Sequence, residues 1–188
     1  MDMVKGSLMM ETVRLIRANK DLNWDKHLTS EEINLAHSKI LPSNWYPLSA
    51  YEHMGYAIFM EVGKGELKNA WTWGRFTMEE LVGKSYKNLF QGLDTMAAFR
   101  KFVFFRKQFF KFEDSNYEPL QIEPLGEKEV KIHVRTPTES NLLEPYGNQM
   151  AGSYERLVEL FGGENPGVEF LEKQWEGADT TVIKVTWE

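Results

Sequence analysis

Val130-Lys131-Ile132-His133-Val134-Arg135 alternates apolar and polar side chains with a period of two, the pattern of a strand that buries one face. Upstream, Leu120 and Ile122 mark a pairing partner, with Leu125-Gly126-Glu127 as the turn region. Downstream, a helix is predicted over about Asn141 to Phe161. Asn141 and Glu144 stand at capping-box spacing, and Tyr146, Met150, Tyr154, Leu157, Val158 and Phe161 form its buried stripe. Gly162-Gly163 ends it. Two further strands, about Gly167 to Trp175 and Thr180 to Trp187, turn at Gly177-Ala178-Asp179, with Ile183, Val185 and Trp187 on one face. The pattern is hairpin, helix, hairpin: a four-stranded antiparallel sheet with a helix packed on it.

Everything before about residue 113 reads as helix. The first helix is predicted from about Val4 to Asn19, with Leu8, Val13, Leu15 and Ile16 apolar and Arg14, Arg17 and Lys20 toward its end. Thr29-Ser30-Glu31-Glu32 opens a second with a capping box, ending near Ile40 before Pro42. Ser43-Asn44-Trp45-Tyr46-Pro47-Leu48 is a turn with two aromatics, followed by a helix to about Val62 and a stop at Gly63-Lys64-Gly65. Helices over Glu66 to Phe76, Met78 to Leu89 and Thr95 to Phe112 complete this part. No repeat, low-complexity segment or linker interrupts the chain. The expectation is one α+β domain over 1–188, helical over about 1–113 and sheet over about 114–188.

Composition removes several function classes. There is no Cys, hence no disulfide, thiolate nucleophile or Cys-ligated metal. A net charge of −6 disfavours a broad nucleic-acid surface. No apolar run has the length of a membrane span, and Met1-Asp2-Met3-Val4-Lys5-Gly6-Ser7 lacks signal-peptide character, so a cytoplasmic protein is expected. His27, His37, His53 and His133 are scattered, with no pair at metal-site spacing, and no metal is expected. No Ser lies in a Gly-x-Ser-x-Gly elbow. Glu31-Glu32 and Glu79-Glu80 sit in predicted first helical turns, where the dipole accounts for them. No catalytic residue emerges.

The helix from Thr95 carries Phe99, Phe102, Val103, Phe105, Phe109, Phe110 and Phe112 over about half its circumference. That arc is either plain core or the wall of a cavity. Arg106 falls inside it. A buried guanidinium needs a carboxylate, backbone carbonyls or a ligand anion, unless it snorkels from the helix edge. Arg100, Lys107 and Lys111 form a stripe, either a solvated face or a docking site for an acidic partner. Gly147, Ala151 and Gly152 on the later helix let a neighbour approach closely, whether the sheet, a second subunit or a ligand, with the sheet as the expected one.

Several short motifs carry a resemblance. Ser43-Asn44-Trp45-Tyr46-Pro47-Leu48, the opening Val4-Lys5-Gly6-Ser7, Trp73-Gly74-Arg75 with Lys84-Ser85-Tyr86, and the close from Gly177 to Trp187 resemble an uncharacterised family of myxobacteria and related deltaproteobacteria. That family is similar to a wider superfamily of heme-nitric-oxide/oxygen-binding domains, sensory 4-vinyl-reductase-type domains and vesicle-tethering subunits. The resemblance implies helices, an antiparallel sheet with a helix across it, and a hydrophobic cavity between them. Heme domains of the superfamily use a proximal His on a helix before the sheet and a Tyr-x-Ser-x-Arg motif. Here no His occurs between His53 and His133, and that motif is absent, so no heme or other cofactor is expected.

Two functions remain open. One is a non-catalytic small-molecule-binding or sensory domain of bacterial signalling, holding an apolar or amphipathic ligand in a hydrophobic pocket lined by Phe99, Phe102, Arg106, Met150 and Tyr154. The other is a protein-interaction adaptor with a filled core. It would bind a partner or a second copy of itself through Trp45, Tyr46, Trp71 and Trp73, or through Arg100, Lys107 and Lys111.

Overall fold

The chain begins with a strand, β1 (Met3–Lys5), where the sequence suggested a helix from Val4. The computed structural model describes residues 1–136 and 139–188, which gather into two units: 1–66 with 106–117, and 67–105 with 118–188. In the first unit β1 lies between β2 (Trp45–Pro47) and β3 (Phe110–Lys111) in an antiparallel three-stranded sheet. Val4 faces Tyr46 on one side and Phe110 on the other and is fully buried. Cross-strand pairing thus claims two segments read from sequence as a turn and as a helix end. Helix propensity, a fraction of a kcal/mol per residue, does not compete with it.

Around this small sheet stand α1 (Gly6–Ala18), a 3₁₀ turn at Trp24–Lys26, α2 (Ser30–His37) and α3 (Leu48–Glu61). Met9, Val13, Ile16, Met54 and Ala57 make their common core. The Thr29 capping box forms as expected: the Glu32 amide donates to Thr29 Oγ1, and the Thr29 amide donates to Glu32 Oε2. Helix α2 stops at His37, short of Ile40. There Arg17 Nε donates to the Ala36 carbonyl at 2.7 Å and the same guanidinium reaches the Ser38 carbonyl.

The second unit opens with α4 (Leu67–Met78). The helix expected over Met78 to Leu89 is instead a π-helical turn at Glu79–Ser85 followed by the short α5 (Lys87–Phe90). The Tyr86 amide donates to the Leu81 carbonyl, five residues back, at 2.9 Å. Helix α6 (Thr95–Arg106) is shorter than predicted. After it come a 3₁₀ turn at Lys107–Phe109 and then β3, so Phe110 and Phe112 leave the helical arc on which they were placed.

The predicted hairpin, helix and hairpin follow as β4 (Leu120–Gly126), β5 (Glu129–Val134), α7 (Ser140–Leu160), β6 (Gly167–Glu172) and β7 (Thr181–Thr186). The sheet is antiparallel in the order β4-β5-β7-β6, with Ile132 opposite Ile183 and Val130 opposite Val185. Val130, Ile132 and Val134 are buried and their alternates are not, as the period-two pattern requires. The capping box assigned to Asn141 and Glu144 does not form; Glu139 occupies the N-cap without a side-chain bond. Strand β6 ends before Trp175, which sits in a 3₁₀ turn, and Gly177 takes the left-handed conformation (φ 101°) of the turn that follows.

The close neighbour of Gly152 is helix α4 rather than the sheet. A carbon added at Gly152 would lie 2.1 Å from the Trp71 carbonyl oxygen, and one at Gly74 would lie 1.8 Å from the Gln149 carbonyl oxygen. Each helix therefore presents a glycine to the other's backbone. Ser153 Oγ donates to the Gly74 carbonyl at 3.0 Å across the same contact. Gly147 instead meets the Trp175 ring.

Candidate functional site

Helix α6 buries Thr95, Ala98, Phe99, Phe102 and Phe105 along one side. Phe99 lies 6.0 Å from the Tyr154 ring of α7 and 5.8 Å, stacked, from Trp187 just beyond β7. Phe105 meets Tyr86 at 4.8 Å and Phe90 at 5.4 Å, edge to face, and Phe90 continues to Phe161 at 5.9 Å. Thr95 Oγ1 donates to the Phe161 carbonyl and ties the start of α6 to the end of α7. The fold thus brings together Phe99 and Tyr154, two of the five proposed lining residues. Met150 lies one turn before Tyr154 and is buried, as is Phe102. Arg106, the last residue of α6, groups with the first unit. Its guanidinium lies over the Phe110 ring at 4.9 Å, with Nη1 buried.

The proposed interaction residues fall in different settings. Trp45 and Tyr46 alternate across β2. Tyr46 packs toward the core and its hydroxyl accepts the Leu41 amide at 2.9 Å. Trp45 instead carries Lys111 Nζ over its ring at 4.2 Å and Lys5 Nζ at 5.9 Å. Arg100 is exposed on α6, Lys107 sits in the 3₁₀ turn and Lys111 lies on β3, so the stripe drawn on one long helix is broken where that helix ends. Trp71 Nε1 donates to Glu155 Oε2 at 2.9 Å, and Trp73 packs on Phe76 at 5.5 Å.

One polar constellation was not singled out from the sequence. Arg75 bonds Glu155 and reaches Glu159 at 2.9 and 3.0 Å. Arg156 bonds Glu159 and grips Glu79 through Nε at 2.8 Å and Nη2 at 2.6 Å. Charges alternate from Glu155 through Arg75, Glu159 and Arg156 to Glu79, linking α4, the π-helical turn and α7. Burial pushes the Glu159 carboxyl up, but hydrogen bonds from Arg156 and Arg75 outweigh it and hold the group below its ordinary range. The signal was present: Trp71, Arg75 and Glu79 step by four, as do Glu155 and Glu159. The Glu79-Glu80 pair, read as a first-turn feature, is instead divided between Arg156 and Lys84.

The histidines have other company. His27 Nε2 stands 3.0 Å from Glu61, and His53 Nδ1 stands 2.6 Å from Glu32. His133 lies on β5, 3.6 Å from Glu123, and His37 is exposed at the end of α2. Helix α6, which precedes the sheet, has only Thr, Ala and Phe at its buried positions, so it offers no imidazole to an iron. The residues present do not fit a heme held by a proximal His on that helix. Among the described residues no group of three or more His, Asp or Glu is placed to hold a metal ion, and no helix is long and apolar enough to cross a membrane.

No protein-family profile matches the sequence, and no curated protein matches it. Solved structures do. An H-NOX protein from S. oneidensis in the Fe(II)NO ligation state superposes with a TM-score of 0.66 at 10% identity, covering 98% of this chain and 99% of that one. The Fe(II) unliganded H-NOX protein from K. algicida gives 0.64 at 12% identity, over 98% and 96%. A mutant of T. tengcongensis H-NOX gives 0.63 at 12% identity, over 98% and 97%. Identity this low establishes the fold alone: the chain has the α+β architecture of the H-NOX domains.

Proposed function

We propose that this chain is a non-catalytic small-molecule-binding or sensory domain that works without a histidine-ligated heme. The observation that carries the reading is the H-NOX architecture over almost the whole length of both chains, combined with a helix α6 before the sheet that buries Phe99, Phe102 and Phe105 and contains no histidine. The ligand is an apolar or amphipathic molecule held in the second unit by α6 and α7. Phe99, Phe102, Met150 and Tyr154 supply the apolar contact. Arg106 is left out of this set because it groups with the other unit.

Native mass spectrometry of the freshly purified chain tests the proposal. The expected result is a retained small-molecule mass that is lost on denaturation and absent from Met150→Trp, whose larger side chain would occupy ligand space. A bare chain that no hydrophobic acid, alcohol or quinone stabilises against heat overturns it. Hemin reconstitution is expected to give no stoichiometric complex with a sharp Soret band; such a complex, abolished by replacing one His, would refute the heme clause.

A second reading, an interaction adaptor with a filled core, draws on Phe99. Its ring is met by both Tyr154 and Trp187, leaving little of it for a ligand. The same mass measurement separates the two readings.

A further inference from the structure

Phe104 is 75% exposed in the middle of a helix whose other three phenylalanines are buried. On a helical wheel it lies about 160° from Phe102, at the centre of the solvent side. Arg100 lies about 40° to one side and Lys101 about 60° to the other. Both cations are exposed, and among the described residues neither has a carboxylate within ion-pair distance. Lys101 Nζ leans over the Phe90 ring at 6.0 Å, which fixes its stem on the same unit. From Asp94 to Glu113 the chain carries Arg100, Lys101, Arg106, Lys107 and Lys111 and no acid between them, although the whole chain has a net charge of −6. A large exposed aromatic on a rigid element costs solubility and contributes nothing to the core.

From this juxtaposition we infer that the outward face of α6 docks an acidic protein partner. Phe104 enters an apolar pocket of that partner, and Arg100 and Lys101 meet carboxylates at the pocket's rim. Aromatic side chains and arginine are enriched at protein interfaces, whose rims are polar. The stiff Phe104 ring loses little entropy on docking, and the cations steer association. A protein fits better than a lipid surface. This face offers one apolar side chain, whereas an interfacial helix needs an apolar stripe. The inference does not depend on whether the second unit holds a small ligand.

The test uses the full chain and a fluorescein-labelled synthetic peptide of glutamates around a leucine pair, with a lysine-for-glutamate peptide as control. Anionic vesicles of phosphatidylserine and phosphatidylcholine form a parallel arm. Binding to the glutamate peptide alone is expected, weakening with salt, with amide shift changes centred on residues 100–104. Phe104→Ala and the double change Arg100→Glu with Lys101→Glu should each weaken it by about tenfold or more. Phe104→Tyr should restore most of it. These exposed positions leave the fold intact, so unchanged melting and circular dichroism accompany the loss. No binding of the glutamate peptide, binding indifferent to Phe104→Ala, or vesicle binding that Phe104→Ala abolishes each overturns the inference.

Discussion

Gly74→Ala tests the α4–α7 contact directly. In an open helix this change stabilises by about 1 kcal/mol, because alanine loses less backbone freedom than glycine. At Gly74 the added carbon would lie 1.8 Å from the Gln149 carbonyl oxygen, 2.7 Å from its carbon and 3.0 Å from the Ser153 amide nitrogen. All three are backbone atoms, so no side chain can swing aside. Ordinary carbon contacts begin near 3.4 Å, and the helices must part by about 1 Å or more. That separation stretches the Ser153 Oγ bond to the Gly74 carbonyl, now 3.0 Å, and loosens the packing of Ala70 and Ala151. Overpacking costs about 1–3 kcal/mol and a weakened buried hydrogen bond about 0.5–1.5 kcal/mol. Set against the propensity gain, the net loss is about 1–3 kcal/mol. For a chain of this size the melting temperature should fall by roughly 3–10 °C. Gly55→Ala, on the exposed side of α3 with nothing within 4 Å of its new carbon, is the control and should raise stability. Urea titration monitored by tryptophan fluorescence reads both. If Gly74→Ala proves as stable as the parent or gains like Gly55→Ala, the close crossing of α4 and α7 does not exist.

Three further outcomes are expected. Glu159→Gln leaves Arg75 and Arg156 without their shared carboxylate and should cost on the order of 1 kcal/mol near neutral pH, since the groups are partly screened by solvent. Glu159 titrates below its ordinary value of 4.5, so its contribution is complete above that pH and disappears as the pH falls through the lowered folded value; urea midpoints from neutral to acid pH should therefore converge for parent and variant, and a gap that persists or widens in acid contradicts the assignment. A fragment of residues 114–188 should be unfolded or aggregated, because it lacks Tyr86, Phe90, Phe99 and Phe105, which pack on one another and on Tyr154, Phe161 and Trp187; dispersed amide resonances from a soluble fragment would disprove this. His27→Ala should lower stability, with the loss shrinking in acid as Glu61 protonates: that carboxyl is held below its ordinary range chiefly by the hydrogen bond to His27, and pH-resolved thermal melts check the trend.

The sheet and its crossing helix were legible because their signals are local and strong. Val130, Ile132 and Val134 alternate without a break, and α7 carries a buried stripe over many turns. What the sequence did not disclose depends on long-range pairing. Val4 and Phe110 lie over a hundred residues apart, and either segment alone reads as helix; only their meeting in β1 and β3 makes them strands. The same event shortens α6 and dissolves the stripe of Arg100, Lys107 and Lys111. Neither hydrophobic period nor capping residues report it.

Lys111 shows how such an error propagates to a site. Placed on a long helix, it joins Arg100 and Lys107 in a basic band; placed on β3, it lies over Trp45, a residue assigned to another surface. The α6 wheel retains its meaning only as far as Arg106. Within that range it succeeds: Phe99, Phe102 and Phe105 are buried, and Phe104, absent from the predicted arc, stands in solvent. Residues read inside the correctly bounded helix keep their predicted side, whereas past its end Phe109 stays buried but Lys111 moves onto β3. On the two proposals made for it, α6 would serve twice, with an inward aromatic wall beside Tyr154 and an outward anchor at Phe104, and Phe104→Ala and Met150→Trp probe the two faces separately.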